Sequence, residues 1–384
     1  MNICSLRVRN FRNHADSQVE FGEGINLLLG NNGQGKTNLL EAISYLSLTK
    51  SFYAASDETV LQIGKDTFDV EGRIRTAAGV DSLVRCRYTH SDHRKTFTIN
   101  SAEPETLWAV IGHFPVVILS PENSAITSGG PAERRKFLDL FLSQVSRGYF
   151  EDLLEYRRIV KQRNRVLSDM RAQNAQRLEL LEPWNEGLVR YGSRVTRRRL
   201  QLVRELEPYV LAAHRELVSA DEEPTLAYTS ALGEVLPETT EGEIEELLRA
   251  ALHQRRLEEL RRGTSLVGPH RDELTLILGG KTVREYASQG QHKTLLIALK
   301  LAEFFYLRER RFEAPMFLLD DLFSELDALR SARILKLISE LGQTVLTATG
   351  EEALHRNVHW GEYCRKFSIE GGTCRPLAGG DDEI

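Results

Sequence analysis

Apolar positions fall into short continuous runs near both ends of the chain and into helix-spaced stripes in its middle. INLLL at 25–29, closed by the glycine-rich residues 30–35, suits a buried strand. Residues 4–8 and 17–21 read as strands around a loop at 9–16. From 36 to 48, Leu39, Leu40, Ile43 and Leu46 recur at helical spacing. FDVEGRIRT, SLVRCRYTH and KTFTIN, between 67 and 100, alternate as strands with turn residues between them. VVILS at 116–120 predicts a further buried strand, stopped by Pro121.

The middle reads differently. From Glu133 to about Glu216 the spacing is helical and arginine is frequent, with Leu153, Leu154, Tyr156, Ile159, Val160, Val166 and Leu167 marking an apolar stripe. EYRRIVKQRNRVLSDMRAQNAQRLELLEPW and VRYGSRVTRRRLQLVREL within it predict two antiparallel helices, and EGEIEELLRAALHQRRLEEL predicts another. The last third returns to α/β. LTLILGGKTV is a hairpin turning at Gly279 and Gly280. A long helix is expected over about 291–310, a buried strand at 315–321, a helix at 328–341 and a strand at 343–350. KFSIEGG reads as an edge strand, and GGDDEI as a frayed tail. Neither α/β part has enough elements to close a sheet alone. The expected fold is therefore α/β, with residues 1–120 and 265–384 joining into one head and a helical domain, 121–264, inserted between them.

Composition adds limits. The net charge of −5 does not advertise a polyanion partner, so any nucleic-acid surface has to be local. Residues 131–215 supply one: 18 Lys and Arg against 11 Asp and Glu. Cys4, Cys86, Cys364 and Cys374 are scattered without metal-ligand spacing, as reduced thiols in a cytosolic protein would be. The first residues lack the apolar core of a signal peptide, and no apolar run approaches the ~20 residues that span a bilayer. A soluble, cytoplasmic protein is expected.

The chemistry starts at residue 30. Gly30, Asn31, Asn32, Gly33, Gln34, Gly35, Lys36 and Thr37 fit G-x-x-x-x-G-K-[ST] between a strand and a helix. Glycines let backbone N–H groups turn toward phosphates, and the positive end of the helix beginning at Lys36, Thr37 and Asn38 adds to them. Lys36 offers a point charge to the β- and γ-phosphates and is a catalytic candidate, while Thr37 offers a hydroxyl to Mg²⁺. The apolar run 316–319 ends in Asp320 and Asp321. Asp320 is the expected Mg²⁺ carboxylate, and Asp321 the acceptor that polarises an attacking water. Without the P-loop, two aspartates after a strand would read as a turn or a helix cap. Ser288, Gln289, Gly290 and Gln291 open the 291–310 helix some thirty residues before that strand. A serine, a glycine and a helix start make a second anion site, which is useful when it faces nucleotide on a second subunit. A simple capped helix start is the alternative. Ser324, Glu325, Leu326 and Asp327 resemble the D-loop that crosses such an interface in ABC-type ATPases, with an acidic helix N-terminal turn as the alternative.

These motifs in this order resemble the ABC/SMC ATPases. The likeness narrows to the RecF-like family in LRVRNFRNH (6–14), GNNGQGKTNLLEAI (30–43), LSPENSAI with GGPAERRKFLD (119–139), LVGPHRDEL (266–274), ASQGQHKTLLIALKLAE (287–303) and FLLDDLFSELD (317–327). The resemblance implies an ATP- and Mg²⁺-dependent head that dimerises on ATP, binds duplex and gapped DNA, and turns ATP over slowly under DNA stimulation. It implies partnership with RecR and RecO, so that RecA can displace single-strand-binding protein during repair, recombination and replication recovery. The chain departs from the wider ABC pattern at Asp321, where most members carry glutamate and RecF-like chains do not. Thr347, Ala348, Thr349 and Gly350 stand where a switch histidine is common, and Tyr53 stands where many relatives carry a basic residue.

In similar heads the first hairpin loop lies near the P-loop, which makes Arg12 and Asn13 nucleotide candidates. His270 and Arg271 are candidates for a dimer interface, with a structured turn as the alternative. For DNA the candidates are Arg134, Arg135 and Lys136, and Arg197, Arg198 and Arg199, since such clusters neutralise phosphates without reading sequence. A solvated helical face is the other reading. An ATPase subunit of a non-DNA machine, such as a transporter, fits less well with a large basic insertion. A nuclease lacks a second carboxylate or histidine cluster for a metal pair, and no N-K-x-D motif points to GTP.

Overall fold

The computed structural model describes residues 1–173, 177–218, 222–233, 235–325, 328–350 and 361–377. The chain forms two compact units. Met1–Ser124, Arg215–Ser219 and Leu296–Ile384 make the first, and Ala125–His214 with Ala220–Leu295 make the second. The expected tail at its very end lies outside the described residues.

The first unit holds two sheets. Strands β1 (Asn2–Phe11), β2 (His14–Glu20), β4 (Thr67–Arg75), β5 (Asp81–Thr89) and β6 (Arg94–Ile99) form an antiparallel sheet in the order β2-β1-β4-β5-β6. The second sheet combines β3 (Ile25–Leu29), β7 (Val116–Leu119), β11 (Met316–Leu319), β12 (Thr344–Ala348), β13 (Arg365–Glu370) and β14 (Thr373–Leu377) in the order β14-β13-β3-β12-β11-β7. All its pairings are parallel except that of β13 with β14. Strands from both ends of the sequence thus interleave in one sheet, and β3, β7, β11 and β12 are buried along their whole length because both faces are covered.

Helix Lys36–Leu48 touches both sheets, β1, β4 and β5 on one and β7 and β12 on the other. That placement explains why it is buried nearly all round, with Glu41, Ser44 and Ser47 inside as well as Leu39, Leu40, Ile43 and Leu46. On the antiparallel side an aromatic group of Phe11, Tyr45, Phe68 and Tyr88 packs with ring centroids 5.4–5.6 Å apart, a geometry that adds directional contacts to simple burial. The helix ends at Thr49, which takes a left-handed φ of 59° and donates its N–H to Tyr45.

Two expectations change here. The 9–16 loop closes to Arg12 and Asn13, because β1 runs on to Phe11 and pairs it with His14. Strand β13 is not an edge, since it sits between β3 and β14.

The second unit is built on helices Pro131–Val145, Arg147–Ala172, Glu241–Arg262 and the greater part of Glu182–Leu217. The two helices expected over 155–184 and 189–206 correspond to Arg147–Ala172 and Glu182–Leu217, with the break falling earlier, after Ala172, and Pro131–Val145 precedes them. Thr240 and Glu243 form a reciprocal capping box at one helix start, and Gly263 closes that helix with φ 69°. A small sheet, order β10-β9-β8, joins β8 (Pro224–Thr229), β9 (Glu273–Leu278) and β10 (Lys281–Thr282). The boundary expected at 264/265 falls inside this unit because β9 pairs with β8 along its whole length. Buried ion pairs fix the helices: Arg163 to Glu259 at 2.6 Å and Arg199 to Asp139 at 2.6 Å.

Candidate nucleotide-binding site

Strand β3 delivers the chain to Gly30, and the loop turns into helix Lys36–Leu48. Gly33 has φ 79°, and a Cβ there would meet nothing within 4 Å, so the glycine is needed for conformation. At Gly35 both conformation and space decide: φ is 112°, and a Cβ would lie 2.6 Å from Asn13 Oδ1 and 2.8 Å from His14 Nε2. No side chain caps this helix at Gly35. Its first N–H groups, which have no partners within a helix, are therefore available to an anion.

Lys36 donates from Nζ to the carbonyls of Gly30, at 2.6 Å, and Asn31, at 3.0 Å. Burial lowers its pKa, and Asp321 and Asp320 act against that shift. Thr37 donates its hydroxyl to Asp320, 2.8 Å from Oδ1 and 3.0 Å from Oδ2. Thr347 on β12 donates to the same Oδ1 at 2.8 Å and accepts the Asp321 N–H at 2.9 Å. Burial raises the pKa of Asp320, while the Thr347 and Thr37 bonds and the Lys36 charge lower it. A buried carboxylate beside a threonine hydroxyl is a hard oxygen donor set, and it fits Mg²⁺. Asp321 follows with φ 47°, a left-handed conformation unusual for a non-glycine residue and common at functional sites.

A set of contacts that the sequence reading missed holds the loop from behind. Asn13 Nδ2 donates to Gln34 O at 2.9 Å, and Asn38 donates to Asn13 Oδ1 at 2.7 Å. His14 Nε2 lies 3.0 Å from Gly35 O, and its Nδ1 lies 3.0 Å from Ser17 Oγ, which donates to Gly372 O at 2.7 Å. The β13–β14 turn donates Gly372 N to Gln34 O at 3.0 Å and Gly371 N to Gln34 Oε1 at 2.7 Å. Asn13 thus orients the P-loop backbone. Arg12 is used structurally as well. It forms a two-pronged pair with buried Glu41 at 2.9 Å, donates to Thr59 O at 2.8 Å, and lies over the Tyr53 ring at 5.8 Å.

The family model of the RecF/RecN/SMC N terminal domain matches residues 2–360. A DNA replication and repair protein RecF of Salinibacter ruber is 43% identical over 352 residues, 91% of this chain and 85% of that one. The chain belongs to the RecF family. A RecF of Chloroherpeton thalassium is 40% identical, covering 91% of this chain and 95% of its own. The solved structure of the recombination mediator protein RecF-ATPrS in the RecFOR pathway has a TM-score of 0.90 at 33% identity, covering 98% of both chains. Its RecF-ATP counterpart has a TM-score of 0.89, also at 33% identity, over 98% of this chain and 97% of that one. An Smc head at 14% identity and TM-score 0.54 shares the fold, as an ABC/SMC-type head should.

Of the remaining candidates of this RecF-family chain, all but the 324–327 loop lie in the second unit. Ser288 and Gln291 form a reciprocal cap: Ser288 N donates to Gln291 Oε1 at 2.8 Å and Gln291 N to Ser288 Oγ at 3.3 Å. Ser288 and Gln289 are exposed, and Gly290 and Gln291 are half-buried. His270 and Arg271 belong to a packed turn. Tyr156 donates to His270 Nδ1 at 2.5 Å, His270 Nε2 lies 3.2 Å from Ser265 O, and Arg271 donates to that carbonyl at 2.7 Å. Burial first, then the Arg271, Arg135 and Arg163 charges, push the His270 pKa down to about 4. Of the loop at 324–327, Leu326 and Asp327 lie outside the described residues.

The DNA candidates separate. Arg134 is 4% exposed, forms a two-pronged pair with Glu273 at 2.8–2.9 Å, and donates to Gly129 O at 2.9 Å. Arg199 is 2% exposed and is held by Asp139 and Pro269 O. Both guanidinium groups are interior, so neither is a surface contact for phosphate. Arg135 donates to Asp272 O at 2.8 Å and is half-buried. Lys136, Arg197 and Arg198 are exposed. No helix among the described residues is long and apolar enough to cross a membrane.

Proposed function

We propose that this protein is an ATP-dependent, DNA-binding recombination mediator that dimerises on ATP. The observation that carries the reading is an assembled P-loop and carboxylate pair in a chain that overlays RecF-ATPrS along 98% of both chains. In this reading residues 30–38 cradle the triphosphate, with Lys36 at the β- and γ-phosphates. Thr37 and Asp320 hold Mg²⁺, which supplies charge neutralisation at the phosphates. Asp321 accepts hydrogen from the attacking water and directs it. Ser288, Gln289, Gly290 and Gln291 of each subunit face nucleotide held by the other, so ATP becomes part of the interface and hydrolysis loosens it. Turnover is weak and DNA-stimulated. The closed dimer engages gapped or duplex DNA through Lys136, Arg135, Arg197 and Arg198, and works with RecR and RecO to assist RecA loading in repair and replication recovery, in the cytoplasm.

The test is binding to a gapped duplex at moderate salt, with and without ATP and Mg²⁺. Binding that tightens on ATP supports a clamp. Absence of DNA binding in both states would return the chain to the class of ATPases in non-DNA machines.

A further inference from the structure

In the first unit, away from the P-loop, Glu58, His90 and His93 converge beside the turn between β5 and β6. Glu58 lies in the short turn Asp57–Val60, while the histidines flank Ser91 and Asp92. Glu58 Oε1 stands 3.2 Å from His93 Nδ1 and 3.8 Å from His90 Nδ1. One ligand atom from each residue lies within 4.8 Å of the others. All three side chains are half or more exposed, so an ion can reach them from solvent.

The backbone under these ligands is fixed by independent contacts. Asp66 accepts Ser91 N–H at 2.9 Å and Ser91 Oγ–H at 3.1 Å, and its carbonyl accepts His90 N–H at 2.8 Å. His93 N–H closes back on His90 O at 3.1 Å, which sets the two rings at 5.5 Å. On the other side Asp57 is anchored by Tyr45 at 2.9 Å and Lys95 at 2.8 Å. Arg12 donates to Thr59 O at 2.8 Å and from its backbone to Val60 O at 2.6 Å.

Two imidazoles and one carboxylate are a borderline donor set that suits Zn²⁺. Mg²⁺ and Ca²⁺ favour all-oxygen sites. Tetrahedral ligands about 2.0–2.1 Å from zinc stand about 3.3 Å apart. The His93–Glu58 spacing meets that figure, and the His90–Glu58 spacing closes to it by a small rotation of an exposed side chain. The ordinary alternative, protonated histidines paired with Glu58, needs no ion.

We propose that Glu58, His90 and His93 form a surface site for a zinc-class divalent ion, with water completing the shell. The ion staples the 57–60 turn to the β5–β6 hairpin. Because Arg12 bonds both Thr59 O and Glu41 of the P-loop helix, the stapled segment is one that Arg12 couples to the nucleotide site.

The experiment is calorimetric titration of the tag-free full chain with zinc chloride, at neutral pH and with millimolar Mg²⁺ present. Wild type is expected to take up about one equivalent, and Glu58→Gln and the double variant His90→Gln, His93→Gln to lose at least about tenfold in affinity. Zinc should also raise the thermal midpoint of wild type and leave that of the double variant unmoved. All three substitutions are on the surface, and unchanged circular dichroism and ATP binding would confirm that the variants fold. Absence of zinc uptake by wild type overturns the site. So does uptake unchanged in the double variant, which would place the ion on the cysteines or on Asp320.

Discussion

Asp320 and Lys36 face the same demand from opposite sides: each is buried enough for its charge to need a partner. Lys36 is a point charge tied to two carbonyls, whereas arginine is a broad planar fork with different reach. Lys36→Arg is therefore expected to retain nucleotide binding, read by a fluorescent ATP analogue, and to lower turnover on the order of 100-fold. Wild-type turnover would remove Lys36 from the reaction. His270 gives a second residue-scale prediction. Its pKa falls from an ordinary value near 6.5 to about 4 in the fold. The unfolded chain thus takes up the proton first, and stability is fully present above about pH 6.5 and lost as pH falls toward 4. The loss should reach about 3 kcal/mol at pH 4. Comparing chemical denaturation at pH 7 and pH 4.5, His270→Gln should flatten that dependence. An unchanged slope would show that the histidine is not buried neutral.

At the scale of the element, one short sequence can serve two purposes. Ser288 caps the helix Gln289–Arg311, and in the proposed dimer that exposed start also faces the nucleotide of the second subunit. The two roles separate by substitution. Ser288→Ala should cost about 1 kcal/mol of helix capping. Ser288→Arg should keep ATP binding by the monomer and block ATP-driven dimerisation, read as mass by light scattering. A dimer of unchanged mass would sink the composite-site reading. The P-loop helix shows how an element is legible in part. Its span, Lys36–Leu48, follows from sequence because the glycine-rich loop and the leucine spacing mark both ends. Its all-round burial does not, since Glu41, Ser44 and Ser47 look like a polar face until Arg12 and Ser51 are found against Glu41. Asn13 and His14 carried a faint signal of their support role, standing with Arg12 as the run of polar residues where β1 turns into β2.

For the whole molecule, charge summed along a segment is a poor guide to a surface. Residues 131–215 are basic, yet Arg134, Arg163 and Arg199 are interior. A phase argument would have found one of them. Arg199 falls on the stripe of Val195, Leu202 and Leu206, all buried, while Arg197 lies on the opposite face and exposed Arg198 at the border of the stripe. The double variant Arg197→Gln, Arg198→Gln should weaken duplex binding uniformly across sequences. It should also reduce the slope of log affinity against log salt by about 1.8 if each neutralises one phosphate. An unchanged slope would move the DNA surface elsewhere. Arg199→Gln should instead lower the melting temperature, because it removes the interior one of the two cations on the buried Asp139 carboxylate and leaves that carboxylate to Arg157 and the Tyr149 hydroxyl.

The sequence by itself determined the strand–loop–helix of the P-loop, the second carboxylate-ended strand, and most spans of the α/β parts. Those features are local: glycine conformation, apolar run length and cap residues act within a few positions of one another. Tertiary structure decided the rest. It interleaved β3, β11, β12 and β13, brought Thr347 to Asp320, set Asn13 and His14 behind the loop, placed the β9–β10 hairpin with β8, and sorted the arginines into interior and surface. Each of these depends on which partner a polar group or strand edge finds far along the chain. A buried hydrogen bond or ion pair is favourable only once both members have been removed from water together, and local sequence does not say who the second member is.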